Sequence, residues 1–176
     1  PEYAGVLAVT DVKSSSTAWL LMQALVSAYG EEQAQQILHD IYVNAGDHIE
    51  SSGSAPLKLC EAGEVAIGFG LRHQAVAAKA DGLPIDFVDP TEGNFSLTES
   101  VAVLDKGDKT NSEAMKMAQC IIENGREELQ ANYPNPLYEG ESADAANKSA
   151  YPKTFSEPLT FELYKHHQEI SEAAKP

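Results

Sequence analysis

A run of four hydroxyl-bearing residues, 14–17, separates an apolar segment from an amphipathic one. The apolar segment, 5–10, has the length of a strand, and the amphipathic segment, 18–29, has helical periodicity. The first amides of a helix have no partner within the helix, and the helix dipole there favours negative charge. This turn can therefore receive an anion, although the simpler alternative is that one hydroxyl only caps the helix. The candidate anion-binding residues of this turn are Ser15, Ser16 and Thr17.

Two later turns add donors of the same kind. A second polar turn precedes a predicted helix that begins near Pro56, and its candidate residues are Ser52, Gly53 and Ser54. A third turn follows a predicted strand and carries Arg72 and His73. Three such turns in one α/β chain are expected to face one cleft.

The side chains of the third turn suit an oxyanion. Arg72 offers a planar fork of donors that fits phosphonate or carboxylate oxygens, and His73 can add a donor or a charge near neutral pH. The alternatives are a solvated charge on the first turn of a helix for Arg72, and a surface or capping histidine for His73.

The overall charge restricts the classes of partner. The chain has 176 residues, with 12 basic and 27 acidic side chains, and 12 − 27 gives a net charge of −15. This charge opposes nucleic-acid backbones and anionic membranes, so no nucleic-acid partner is expected. An anionic ligand would have to be held by short-range hydrogen bonds. No apolar run approaches the roughly 20 residues that span a bilayer.

No metal, cofactor or catalytic motif is evident. Cys60 and Cys120 are sixty positions apart without a spacing typical of zinc sites, so two buried free thiols are expected, and a disulfide remains open. The sequence has no Gly-x-Ser-x-Gly, no phosphate loop and no His-Glu-x-x-His, so we do not expect an enzyme. A serine hydrolase using Ser16, His73 and Asp11 remains an alternative.

The predicted elements alternate between strands and helices. Strands are expected over 5–10, 64–70 and 84–88, and helices over 18–29, 31–43, 56–63 and 71–79. This order is typical of an α/β domain with a mostly parallel sheet flanked by helices. Beyond residue 93 we expect an extended segment at 97–104, an amphipathic helix at 111–124, an irregular stretch at 132–153 and a closing helix at 159–174.

Several short motifs occur in a particular order over residues 1–135. They are Pro1-Glu2-Tyr3-Ala4-Gly5, Asp11 with the serines after it, Tyr29-Gly30-Glu31-Glu32, Ser52-Gly53-Ser54-Ala55-Pro56, Gly63-Glu64-Val65-Ala66-Ile67-Gly68, Gly82-Leu83-Pro84-Ile85, Pro90-Thr91-Glu92-Gly93 and Ser112-Glu113-Ala114. Their order resembles the second half of an extracellular solute-binding protein of an ABC importer. Within that superfamily the chain is most similar to the branch of ferric-iron and 2-aminoethylphosphonate binders.

The resemblance implies a lobe of the type II periplasmic-binding fold, in which two α/β lobes close on a ligand by hinge motion. Residues 1–93 would form the second, ligand-gripping lobe. Residues 94–176 would supply the crossover strand and C-terminal helices that belong to the other lobe. The N-terminal lobe segment would be absent, since the chain begins at Pro1 without an initiator Met.

The resemblance also implies a ligand site. The first serine turn, 15–17, matches the helix-start turn with which this family grips phosphate, phosphonate or a synergistic anion. The second, 52–54, matches the second loop of the family's cleft. Arg72 and His73 stand where ferric binders carry adjacent tyrosines, which weakens the iron interpretation. Asn94 is a hinge-side candidate. The expected solute therefore carries a phosphonate or phosphate group, with ferric iron plus a synergistic anion, or a polyamine, as alternatives.

The implied partners and location follow from the same family. They are the membrane permease, the missing half of the fold and an extracytoplasmic site, either periplasmic or lipid-anchored. A lobe without its mate exposes apolar surface, so self-association is expected. An interaction domain, in which the acidic surface meets a partner and the serines are only caps, is the non-transport alternative.

Overall fold

A computed structural model describes residues 2–98, 100–156 and 158–176 of the chain. Helices and short strands alternate along these residues. In chain order they are β1 (Leu7–Thr10), α1 (Ser16–Tyr29), α2 (Glu31–Ala45), β2 (Ile49–Glu50), α3 (Ala55–Glu61), β3 (Ile67–Gly68), α4 (Arg72–Ala80), β4 (Asn94–Phe95), α5 (Ala114–Asn124), α6 (Arg126–Asn132), β5 (Pro152–Lys153) and α7 (Phe161–Ala174). The mixed α/β class is confirmed, with small parallel sheets.

The chain forms two compact units. The first contains residues 1–96 and 149–176, and the second contains residues 97–148. The expected assignment of 1–93 and 94–176 to two lobes of a larger protein stays a prediction. Within the described residues, no helix combines the length and the apolarity that crossing a bilayer requires.

The first unit is built on a three-stranded parallel sheet with the order β2-β1-β3. Val9 of β1 aligns with Ile49 of β2, and Leu7 of β1 aligns with Ile67 of β3. All four residues of β1 are buried. A strand covered on both faces has no polar side, which explains why β1 is continuously apolar up to Thr10.

Three helices complete the core of the first unit. Met22 of α1 and Leu38 and Tyr42 of α2 have no exposed surface. Ile170 and Ala174 of α7 belong to the same buried cluster. The C-terminal helix therefore packs within the first unit, on α1 and α2.

The second unit has very little core. Ala118 is the one residue that is buried among the described residues of 97–148. Arg126 and Glu141 form a bidentate ion pair, with Nε–Oε1 at 2.5 Å and Nη2–Oε2 at 2.6 Å. Polar pairing, rather than apolar burial, thus organises this unit.

The predicted third strand at 84–88 is wrong, because no strand occupies it in the described chain. Pro84 has no N–H to donate to a ladder, and Val88 is 90% exposed. The Asp86 carboxylate accepts from the Phe87 amide and from Lys79, so this segment is held by local side-chain hydrogen bonds. The extended segment at 97–104 likewise forms no strand over its described residues.

The other expected elements differ mainly in length. The strand predicted at 64–70 is reduced to Ile67–Gly68, and the polar stretch after α2 contains the short strand β2. The five predicted helices from 18–29 to 111–124 match α1 to α5, and the closing helix is α7. Both cysteines are free, but neither is fully buried as expected. Cys60 is half-buried, and Cys120 is exposed on α5 because the second unit offers no core to cover it.

Candidate functional site

Three polar turns follow the carboxyl ends of β1, β2 and β3, which meet at one edge because the strands are parallel. From β1 the chain runs through α1 and α2 to β2, and from β2 it returns through α3 to β3 on the other side of β1. In open parallel sheets, ligands bind at this edge, where neighbouring connections diverge. The turns after β1 and β3 lie on either side of the place where the connections diverge.

Ser15 caps α1. It has extended backbone angles, and its Oγ accepts a hydrogen bond from the Thr17 amide at 3.2 Å. The Ser15 hydroxyl therefore serves as a helix cap, as expected from the alternative in which one hydroxyl of the turn only caps the helix. Ser16, the first residue of the helix, is exposed, and Thr17 is half-buried.

The second polar turn packs directly on this cap. A Cβ added to Gly53 would lie 2.7 Å from Ser15 Oγ and would collide with Thr17 Oγ1. Thr10 Oγ1 donates to the Ser52 carbonyl at 3.0 Å, which anchors the turn to the end of β1. The structure thus brings the two serine turns together, and only a residue without a side chain fits at position 53.

Ser54 and Ser52 complete that turn. Their hydroxyl oxygens lie 3.3 Å apart, and either can be the donor. We call the contact between residues 15–17 and 52–54 the serine cradle.

Arg72 lies at the start of α4, where its guanidinium is paired rather than solvated. Its Nε donates to Asp89 Oδ1 at 2.7 Å, and its Nη2 lies 3.4 Å from Asp89 Oδ2. The guanidinium carbon also lies 4.7 Å from the centroid of the Phe87 ring. The solvated-charge alternative for Arg72 is wrong, since its side chain is only 19% exposed. His73 follows it on α4 and is half-buried.

Asp89 is a residue that the sequence interpretation missed. Besides Arg72, it accepts hydrogen bonds from Asn94 Nδ2 at 3.1 Å and from the Ala150 amide at 3.0 Å. Hydrogen bonding from Arg72 holds the pKa of Asp89 below its ordinary value, against the opposing effect of its burial. We call Arg72, Asp89, Asn94 and Ser149 the Asp89 cluster, because Asn94 Nδ2 also donates to Ser149 Oγ at 2.8 Å.

A cleft of about 350 Å³ opens beside the start of α1. It is lined by Ser16, Trp19, Leu159, Thr160, Phe161 and Tyr164. The Trp19 and Tyr164 rings pack with centroids 4.9 Å apart. Ser16 therefore also lines an aromatic cleft between the beginnings of α1 and α7.

Comparison with known proteins finds a partial similarity. An uncharacterized protein of Haemophilus influenzae (strain ATCC 51907 / DSM 11121 / KW20 / Rd) is 29% identical over 104 residues, which are 59% of this chain and 30% of that protein. No protein-family model matches the chain. The matched region thus spans less than a third of the relative's length.

The candidate residues form two groups with different chemistry. The serine cradle offers hydroxyls at the positive end of a helix, whereas the Asp89 cluster is a neutralised ion pair next to β4 and β5. In the part of the chain that the structure describes, no three His, Cys, Asp or Glu side chains are grouped to hold a metal ion. Local capping rules could find the first group, but nothing in the sequence pairs Arg72 with a carboxylate 17 residues away.

Proposed function

We propose that this chain is part of the substrate-binding component of an ABC importer, and that it captures a small solute bearing a phosphonate or phosphate group. The observation that carries this proposal is the serine cradle at the carboxyl edge of the parallel sheet. It joins two hydroxyl-rich turns to a helix N-terminus at the carboxyl edge of the sheet, the edge at which open α/β sheets bind ligands.

The charge of the whole chain favours short-range binding of the anion. The net charge of −15 repels an anion at a distance, so neutral donors must hold it at contact. Asp89 already balances the guanidinium of Arg72. The α1 amides and the hydroxyls of Ser16, Thr17 and Ser54 are therefore the main donors in this proposal.

The position of β4 and β5 supports a bilobal parent protein. The chain leaves the first unit after β4 and re-enters it just before β5, and the two strands pair in parallel with Asn94 opposite Pro152. Paired crossing strands are a suitable hinge between lobes. The remaining half of the fold, the membrane permease and an extracytoplasmic location belong to this proposal.

The test is solute binding by the full-length protein from which this chain derives. A thermal-shift screen would compare 2-aminoethylphosphonate, inorganic phosphate, other phosphonates, ferric citrate and polyamines. A solute present at about a hundred times its Kd is expected to raise Tm by roughly 5 °C. If no anion shifts Tm, the proposal is wrong, and a shift with ferric citrate alone would favour the iron alternative.

Thr17→Val tests whether the cradle holds the solute. The substitution keeps the branched shape against Gly53 but removes the hydroxyl. Loss of one hydrogen bond to a charged ligand is expected to weaken binding at least about tenfold by calorimetry. Thr154→Val, the same change at an exposed position of the first unit, is the matched control and is expected to leave the affinity unchanged.

A further inference from the structure

A buried histidine fixes α7 to α1. His167 is 1% exposed, and Trp19 Nε1 donates a hydrogen bond to His167 Nδ1 at 3.2 Å. An indole nitrogen is a donor only, so Nδ1 must accept and cannot carry a proton. The contact therefore requires a neutral imidazole with its proton on Nε2.

Protonation of His167 is incompatible with this contact. Both nitrogens of an imidazolium are donors, so an Nδ1 proton would face the indole N–H, in a place where water does not reach the charge. The ionisable neighbours are His166 on the same helix and Glu31 on α2, and the Glu31 carboxylate lies 3.0 Å from His166 Nε2. Burial lowers the pKa of His167, the neighbouring His166 lowers it further, and Glu31 raises it.

The other polar contacts of α7 involve different groups. Tyr42 and Ser171 share a hydrogen bond of 2.7 Å, and His39 Nδ1 lies 2.9 Å from the Ala174 carbonyl. Lys175, just beyond the helix, pairs with Asp11 at 2.9 Å. These contacts join α7 and the residue after it to α2 and to the end of β1, and none of them involves His167 or offers it a counter-charge in direct contact.

We propose that the Trp19–His167 contact makes the docking of α7 pH-dependent: α7 stays packed on α1 and α2 while His167 is neutral, and acid releases it. The direction follows from linkage. The unfolded or undocked histidine binds a proton more readily than the docked one, so docking is fully stabilised above the ordinary histidine pKa of about 6.5 and weakens as the pH falls below it.

Release of α7 would remove contacts next to the serine cradle. Tyr164 on α7 donates to the Val12 carbonyl at 3.4 Å, and Val12 lies in the turn that leads to the cradle. Tyr164 and Phe161 also form one wall of the cleft that contains Ser16. Control of solute binding by pH rests on the proposed function, whereas the pH-dependent docking does not.

The single tryptophan of the sequence makes the docking measurable. Intrinsic fluorescence of the 176-residue chain without any solute would be recorded between about pH 8 and about pH 5. We expect the Trp19 emission to shift to longer wavelength in one transition centred below about pH 6.5, as the indole loses its partner and meets water. An emission that stays constant over this range would overturn the proposal.

Matched asparagine substitutions identify the responsible histidine. In His167→Asn the amide oxygen can accept the indole N–H but does not titrate, so the transition should disappear. His166→Asn is the same change at the neighbouring, exposed histidine, and the transition should remain. A transition that persists in His167→Asn, or one that is lost in His166→Asn, would assign the effect elsewhere and overturn the proposal.

A measurement on the unsubstituted chain covers the case in which His167→Asn does not fold. Nitrogen NMR of ¹⁵N-labelled histidine distinguishes a bare Nδ1 from a protonated one. We expect one of the five histidines to keep a bare Nδ1 and to titrate below the others, together with the Trp19 emission. Five histidines that all titrate near the ordinary value would overturn the proposal, and because no solute is present, this failure would leave the proposed function untouched.

Discussion

Asp89 accepts hydrogen bonds from three parts of the first unit: the start of α4, strand β4 and the segment before β5. Its carboxylate is only 14% exposed, so water screens its pairing with Arg72 weakly. A single side chain thereby fixes Asn94, a candidate solute contact, to Arg72. Asp89 therefore matters for the geometry of the candidate site.

Asp89→Asn tests whether this carboxylate stabilises the first unit. The amide keeps the shape, but it loses the charge and points an N–H group at one of the three donors. We expect the free energy of unfolding to fall by about 1–2 kcal/mol, measured by urea denaturation. A stability equal to that of the unsubstituted chain would show that the cluster contributes nothing.

Asp86→Asn is the matched control for that change. Asp86 pairs with Lys79 at 2.8 Å, but both side chains are largely exposed, and such pairs contribute little. The two variants should also differ in acid. Hydrogen bonding from Lys79 lowers the pKa of Asp86 too, but that pair is exposed and screened by water, so its contribution to the pH profile is small. Because hydrogen bonding from Arg72 lowers the pKa of Asp89, its contribution is complete above the ordinary aspartate pKa and is lost as the pH falls below it, so Asp89→Asn should flatten this part of the stability profile.

At the scale of elements, the second serine turn packs against the cap of α1. Gly53→Ala would place a Cβ 2.9 Å from Thr17 Cβ, a rigid part of that side chain, besides its clash with the two hydroxyls. We expect a loss of about 1–3 kcal/mol in the free energy of unfolding. Chemical denaturation of the unliganded chain measures it.

Gly70→Ala provides the comparison. A Cβ at Gly70 meets no atom within 4 Å, and the residue does not have a positive φ. Its substitution should leave stability unchanged or raise it slightly, because alanine restricts the unfolded chain more than glycine does. Equal effects of the two substitutions would mean that the turn does not pack on the helix as described.

Features that depend on neighbouring residues could be predicted from the sequence, whereas features that depend on a distant partner could not. The end of α1 at Gly30 depends on neighbouring residues, so local patterns predicted it, and they also offered a hydroxyl cap at its start, which the structure assigns to Ser15. A strand exists only where a partner pairs with it, and the short apolar run at 84–88 has no such partner in the described chain. The sequence likewise predicted the serine turns but could not predict the Asp89 cluster, whose bonds join residues that are 5 to 61 positions apart.

At the scale of the whole molecule, the second unit presents an apolar surface that its described residues leave exposed. On α5, Met117 is 63% exposed and Ile121 is 38% exposed, one helical turn apart. Exposed apolar patches of this kind mark surfaces that associate with another protein surface. In the proposed bilobal protein the other half would cover this face, and in the 176-residue chain a second copy can do so.

Replacing Met117 and Ile121 together by Gln tests this. We expect the 176-residue chain to self-associate, and the double variant to weaken that association about tenfold or more by sedimentation equilibrium, since two apolar contacts are lost. The control replaces Lys116 and Glu123 on α5 by Gln, which leaves the net charge unchanged and should not alter association. In the proposed bilobal protein the same Met117 and Ile121 substitutions should instead lower Tm, because the other half would cover the face within one molecule. An unsubstituted chain that stays monomeric at high concentration would contradict the prediction.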